Sequence, residues 1–419
     1  MKLDIRTFAT TILYVLILVV FNNYFYLINI NMDRVNLLVI LAFSACLISG
    51  AFRNIKASNS EYLIVICFLS VFIFESLISG LRYEQGLIES IFADKSIYSI
   101  IIFFFLAKLY TSEEKKITII NIFIFIGLIV ALLLVLQVLV FYPLNIEILS
   151  NITYWKRMDG VRVINSSHYI EFSIILSLCQ LIENNHKASK KITFFWRLIY
   201  LFTFIVGMVN LLFVSKTRMS IIIVLIIEAY LLINFRIGTN KKTIFNNKLI
   251  RTTLVLFAGA IVLSSYNFSL LFNDLNDNSI SVSNRQLEYS MYLNQLFSNP
   301  FNLIFGLGMI NEKNTYYLYN ILGPMGVGGR TDVGIVGFFH EFGLIGLTIY
   351  IWIVIRGYKI IKNCRKANIN CMEMTVLWLY YILGSTTLCM FNRGRIIALP
   401  IMLYLFYYYF NLCDKQVSK

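Results

Sequence analysis

Apolar stretches of roughly twenty residues recur from one end of this chain to the other, each long enough to cross a hydrocarbon core about 30 Å thick. Nothing else in the sequence constrains the fold as hard. In lipid a backbone must satisfy its own hydrogen bonds, and a helix does so without a neighbour. Twelve such helices are expected, at 8–28, 35–52, 61–80, 91–110, 117–141, 164–182, 192–214, 217–235, 250–266, 333–355, 373–391 and 395–412. The fourth places Asp94 and Lys95 within its first turns. The expected fold class is an all-α polytopic membrane protein of about twelve transmembrane helices. One large outer loop separates spans nine and ten. The chain then divides into 1–266 (helices one to nine), 267–332 (the loop) and 333–419 (helices ten to twelve with a short tail). The run from Phe8 to Ile28 is too long for a signal-peptide core and ends without a small-residue cleavage site, so it reads as a span.

Charge supplies the orientation. The residues are 58% hydrophobic and only 14% charged, yet the formal charge is +14. In a soluble protein that excess would suggest nucleic acid; here the positive-inside rule accounts for it. An even number of spans puts both termini on one side. The clusters Arg236/Lys241/Lys242/Lys248/Arg251 and Arg356/Lys359/Lys362/Arg365/Lys366 make that side the cytoplasm. Seven cysteines lie scattered, with no CxxC and no Cys/His cluster. Neither a disulfide framework nor a zinc site is expected.

The outer loop, Asn267 to Asp332, is long for a connection without its own domain, and such loops are usually functional. Within it SNRQLEYSMYLNQLFSNP reads as an amphipathic helix, capped by Ser283 or Asn284 and stopped at Asn299-Pro300. FGLGM and the glycine-rich GPMGVGGR follow. A smaller outer loop, Tyr142 to Val163, holds YWKRMDGVR.

Several cations crowd the outer ends of spans. Lys156, Arg157 and Arg162 precede span six. Lys216 and Arg218 share the tight turn SKTR, Arg285 opens the loop helix, and Arg330 precedes span ten. Arg393 and Arg395 share the turn NRGR. Arginines at a span end snorkel to headgroups. Several at one face would also make a basin suited to diphosphate, whose oxygens accept the paired donors of a guanidinium. Glu75, Glu171 and Glu341 lie near outer span ends and Glu228 lies deeper. A carboxylate there is either paired with an outer arginine or lines a water-filled cleft. His340 lies two turns into span ten, eight residues after Asp332. On a regular helix that separation is about 12 Å along the axis, so the two cannot bond directly. His340 is either a satisfied core histidine or a base, and Asp332 either an N-cap or a catalytic carboxylate.

The order of these motifs resembles the bacterial O-antigen polymerase (Wzy) and O-antigen ligase superfamily. Ser215, Thr217 and Arg218 match its SxTR turn. Arg285, Pro300, Gly306 and Gly308 match its loop pattern, and Asp332, Gly334, Gly337, Gly343 and Gly346 match its DxGxxGxxxxxGxxG entry into a span. The ligases carry a His-Asn pair about nine residues before a Glu-x-Gly; here Asp332-Val333 stands at that place, which favours the polymerases. The resemblance implies a protein of the bacterial inner membrane with its large loop in the periplasm. It also implies a glycosyltransferase whose donor and acceptor are both oligosaccharides on undecaprenyl diphosphate. The donor carries an activated bond, so no cofactor and no metal are expected, and membrane lipid and a chain-length regulator protein are the expected partners. By the same resemblance Asp332 or His340 is the catalytic base, and Arg218, Arg285, Arg330 and Lys216 bind diphosphate. Arg157, Arg162, Glu171, Glu341 and Arg393 line the substrate cleft. A ligase acting on lipid A-core and a lipid-linked oligosaccharide flippase are the alternatives.

Overall fold

The structure is a computed structural model. It describes residues 5–28, 34–54, 59–93, 95–144, 146–150, 152, 154–157, 160–163, 167–184, 194–237, 279–322, 329–387, 389–391 and 394–417. The expected helix at 250–266 lies outside them. The helices are α1 (Ile5–Phe21), α2 (Arg34–Ser49), α3 (Ser60–Arg82), α4 (Leu87–Ile91), α5 (Ile102–Leu109), α6 (Glu113–Leu144), α7 (Ser167–Asn184), α8 (Phe194–Val209) and α9 (Arg218–Ile237). Further along come α10 (Ser279–Phe297), α11 (Pro300–Phe305), α12 (Ile335–Lys366), α13 (Met372–Gly384) and α14 (Ala398–Val417).

Among the described residues, Ser60–Arg82, Glu113–Phe141, Phe194–Ser215 and Ile335–Lys366 are long and apolar enough to cross a membrane. Ile5–Phe21, Arg34–Ser49, Met219–Leu231 and Met372–Gly384 are shorter apolar helices. The chain is thus a helical membrane protein. One departure from all-α is a hairpin between α6 and α7, β1 (Tyr154–Arg157) against β2 (Gly160–Val163), antiparallel with Trp155 opposite Arg162. The helix expected at 91–110 is broken: α4 ends at Ile91, and a 3₁₀ stretch Lys95–Ile101 leads into α5. That stretch brings Ser96 and Ser99, both buried, to the start of an otherwise apolar segment.

The chain forms two compact units, Met1–Phe123 with Arg285–Lys419, and Ile124–Asn284. In the first, α3 and α12 run antiparallel. Arg356 Nε donates to Glu61 Oε1 at 2.6 Å at one end of the pair. Midway, Phe68 stacks with Phe391 (centroids 5.1 Å), which stacks on Phe338 (4.2 Å). In the same unit Lys116 Nζ meets Glu373 Oε1 at 2.8 Å and Tyr409 Oη at 2.9 Å, all three side chains buried. In the second unit the chain tightens to a π-helical turn, Asn210–Ser215, closed by Lys216 in the left-handed region (φ +49°), and α9 begins at Arg218. The tight SKTR turn is therefore present.

Two expected caps are not. α10 begins at Ser279, so Ser283 and Asn284 lie inside it, and Asn299 caps the following helix, its side chain accepting from Phe301 N at 2.9 Å with Pro300 at the first helical position. Asp332 does not cap α12 either. It sits in a 3₁₀ turn, Arg330–Asp332, and the cap position belongs to Gly334, because α12 starts only at Ile335.

Candidate functional site

The site begins with a break in α12. Gly343 adopts φ +58°, ψ −158°, a region open essentially only to glycine. The break takes His340 and Glu341 out of the regular helical ladder, so their carbonyls need other donors. Leu307 N donates to His340 O at 2.8 Å and Gly308 N to Glu341 O at 3.0 Å. The approach is backbone on backbone: a Cβ on Gly343 would fall on Ile304 O and Gly306 N, and one on Gly306 on Glu341 O. The FGLGM segment is thus a buried insert in the first unit.

Its remaining backbone groups are met by side chains. Tyr83 Oη donates to Leu307 O (2.7 Å), Gln85 Nε2 to Met309 O (2.7 Å), and Met309 N to Ser79 Oγ (2.7 Å). Arg330 Nη1 donates to Gly308 O at 2.8 Å. Arg330 is the centre of the arrangement. Its Nε donates to His340 Nδ1 at 2.9 Å and its Nη1 lies 3.7 Å from Glu341 Oε1. Its Nη2 is buried with no hydrogen-bond partner among the described residues. Since Nδ1 of His340 accepts from a guanidinium, the ring carries its proton on Nε2 and donates to Gln295 Oε1 at 2.6 Å. The imidazole rests on the Tyr292 ring (centroids 4.5 Å).

α10 supplies the opposite wall. Arg285, Glu288, Tyr292 and Gln295 follow at intervals of three, four and three and so share one helical face. Glu288 and Tyr292 are buried, Gln295 is half-buried and Arg285 is exposed. Burial, and next the Asp332 charge, push the Glu288 carboxyl above the ordinary glutamate value, while Arg285 and the Gly329 N–H pull it back. Glu288 Oε2 has no hydrogen-bond partner among the described residues. Beside the site an open cleft of about 420 Å³ is lined by Ile78, Leu81, Arg82, Asn299, Phe301 and Asn302. Arg82 Nη1 points back to Gly306 O at 3.5 Å.

Of the residues singled out from the sequence, the first unit brings together Arg330, His340 and Glu341, with Asp332 exposed on the turn beside them and Arg285 on the facing helix. Glu341 takes the arginine partner expected of it. Glu75 lies close by, but both its carboxylate oxygens are buried without a hydrogen-bond partner among the described residues, as are those of Glu228. Lys216, Arg218, Arg157, Arg162 and Glu171 belong to the second unit. There Glu171 is buried and meets His168 Nδ1 at 3.3 Å. The side chains of Arg157, Arg162 and Arg218, and all of Arg393, lie outside the described residues. Arg395, expected in the turn NRGR, is buried, with Nε donating to Tyr380 Oη at 3.1 Å.

Sequence reasoning missed Glu288, Gln295 and Arg82. The first two were findable, because they continue the helical face that Arg285 opens. Arg82 carried no such signal. No protein-family model matches the chain, and no curated protein matches it.

Proposed function

We propose that this chain is a polysaccharide polymerase of the bacterial inner membrane. It joins undecaprenyl-diphosphate-linked oligosaccharide repeat units on the outer face, as in O-antigen or capsule assembly. In this reading about twelve helices span the membrane and both termini are cytoplasmic. The observation that carries it is Arg330. A guanidinium fixed by His340, the Gly308 carbonyl and Glu341 keeps one buried N–H pair unspent, at the mouth of an apolar span. Such a group, already oriented, stabilises negative charge as it develops on a leaving diphosphate. Arg285 adds a second cation across the site.

An acceptor hydroxyl attacks the donor's anomeric carbon. The new glycosidic bond forms as the bond to the diphosphate oxygen breaks, and the electron pair leaves with undecaprenyl diphosphate. The proton passes to a base at the same mouth, and the exposure of Asp332 supports that residue in the role. His340 serves instead by holding Arg330, since both its ring nitrogens are engaged. The cleft beside Arg82 offers the isoprenoid tail an apolar wall with a cation at its edge.

Deleting the gene in its host and sizing the lipid-linked and surface glycans tests the reading. Single repeat units that still reach the outer face are expected. Long polymer stranded on undecaprenyl diphosphate would instead mean a ligase, and single units trapped inside would mean a flippase. Restoring the gene with Arg330→Ala should leave the single-unit phenotype, with the protein still inserted.

A further inference from the structure

Resting on the polymerase reading, we infer that Gln295 is a positioning residue: through the His340 imidazole it fixes the direction in which Arg330 offers its unspent N–H pair. The support is a chain of hydrogen bonds. Arg330 Nε, in the turn before α12, donates to His340 Nδ1 at 2.9 Å, and His340 Nε2 donates to Gln295 Oε1 at 2.6 Å. The Gln295 backbone carbonyl accepts from Asn302 Nδ2 at 3.0 Å, which ties the end of α10 to α11. His340 is fully buried and Gln295 half-buried. Tyr292, one turn earlier on α10, lies against the imidazole (centroids 4.5 Å), and its own hydroxyl donates to Ile321 O at 2.7 Å. α10 thus holds the ring at its face and at its far nitrogen.

The polarity of the chain leaves Gln295 one choice. A guanidinium has donors and no acceptor, so Nδ1 is bare and the ring proton sits on Nε2. A glutamine amide offers either an oxygen or an NH2, and only the oxygen satisfies that proton. A ring turned by 180° about Cβ–Cγ would bring carbon-bound hydrogens to both partners, stranding the Arg330 Nε donor. Arg330 depends on this link because the rest of its hold is partial. Nη1 donates to Gly308 O at 2.8 Å and lies 3.7 Å from Glu341 Oε1, while Nη2 is buried without a hydrogen-bond partner among the described residues. The guanidinium is planar, so anchoring Nε and Nη1 together sets where Nη2 points. With Nε released, the plane pivots on Nη1. A donor stabilises developing charge best when it is oriented before the charge appears. Gln295 acts through His340 and Arg330 rather than on substrate, so its loss falls on turnover rather than on substrate binding.

The test joins a spectroscopic and a kinetic readout on the full chain in nanodiscs at pH 8, above the ordinary histidine value of about 6.5. With 15N-histidine labelling, the His340 imidazole N–H signal is identified by its absence in His340→Asn. Wild type should show one downfield N–H on Nε2. Gln295→Met, of similar length but without an acceptor, should move that signal upfield or lose it to exchange with water. In repeat-unit joining with purified lipid-linked repeat units, Gln295→Met should lower kcat about 10-fold or more with KM within about twofold. Gln295→Glu keeps an acceptor, and should keep the signal downfield and kcat within about threefold of wild type. An N–H signal unmoved in Gln295→Met overturns the inference. So does a wild-type kcat in that variant, a rise in KM with kcat unchanged, or an equal loss of kcat in Gln295→Met and Gln295→Glu. If Gln295→Met does not accumulate in the membrane, Gln295→Glu decides alone: a downfield signal with preserved kcat supports the role, and loss of either overturns it. Failure of these variants beside an inactive Arg330→Ala removes only the role of Gln295, whereas full activity of Arg330→Ala overturns the polymerase reading as well.

Discussion

Replacing Gly343 by alanine should strain the first unit at the break in α12. Two costs act together. Alanine at φ +58°, ψ −158° occupies a region that costs a residue with a Cβ about 1–3 kcal/mol. The new methyl also falls on the backbone of Ile304 and Gly306, which cannot swing aside as a side-chain tip would. Overpacking of that kind costs about 1–3 kcal/mol. The sum is about 4 kcal/mol at its centre, or roughly 10³ in a local opening equilibrium. It should appear at particular amides, Leu307 and Gly308, whose bonds to His340 and Glu341 carbonyls depend on the break in α12. The assay is amide hydrogen exchange on detergent-solubilised protein, read alongside the temperature at which half the protein loses its monodisperse peak. Gly50→Ala is the control: its φ is +64°, but nothing lies within 4 Å of the added methyl, so it carries backbone strain alone. Protection at Leu307 and Gly308 that is unchanged by Gly343→Ala, or a thermal loss no larger than that of Gly50→Ala, would refute the reasoning.

Lys116→Met should destabilise by about 3–5 kcal/mol, because it leaves the fully buried Glu373 without its ammonium partner. The double variant with Glu373→Leu should recover much of that loss, and chemical denaturation of the purified chain distinguishes the two. Glu288 also makes stability depend on pH with a definite sign. Its folded carboxyl is raised above the ordinary 4.5, so the folded state binds the extra proton. Its contribution is complete below that value and is lost as pH rises through the folded value. Glu288→Gln should therefore match wild type in thermal stability at pH 4 and exceed it at pH 8; a gap of the same size at both would contradict this.

How much of this was legible beforehand depends on which forces are local. Spans such as 61–80 and 333–355 were readable because transfer of an apolar run into lipid needs no information from the rest of the chain, and they reappear as α3 and α12. The amphipathic α10 was readable for a similar reason, since its polar stripe is written in intervals of three and four residues. Boundaries were less so. Asp332 has the chemistry of an N-cap, yet Gly334 takes the position, and the helix start behind it is held by Ile335 N donating to the distant Ser385 O at 2.6 Å. The break of 91–110 into α4, a 3₁₀ stretch and α5 was equally invisible to hydropathy.

At the site, the sequence by itself determined which residues carry charge near the mouth of span ten: Arg330, Asp332, His340 and Glu341. Only the tertiary structure decided their roles. His340 faces Arg330 and Gln295 because α12 breaks at Gly343 and α10 packs across it. FGLGM, expected in the large outer loop, is buried because the carbonyls freed by that break take its amides. Helical periodicity and hydropathy report what a segment needs from its surroundings. They do not report which distant segment supplies it, since hydrogen bonds across tens or hundreds of residues follow from packing that no local window contains.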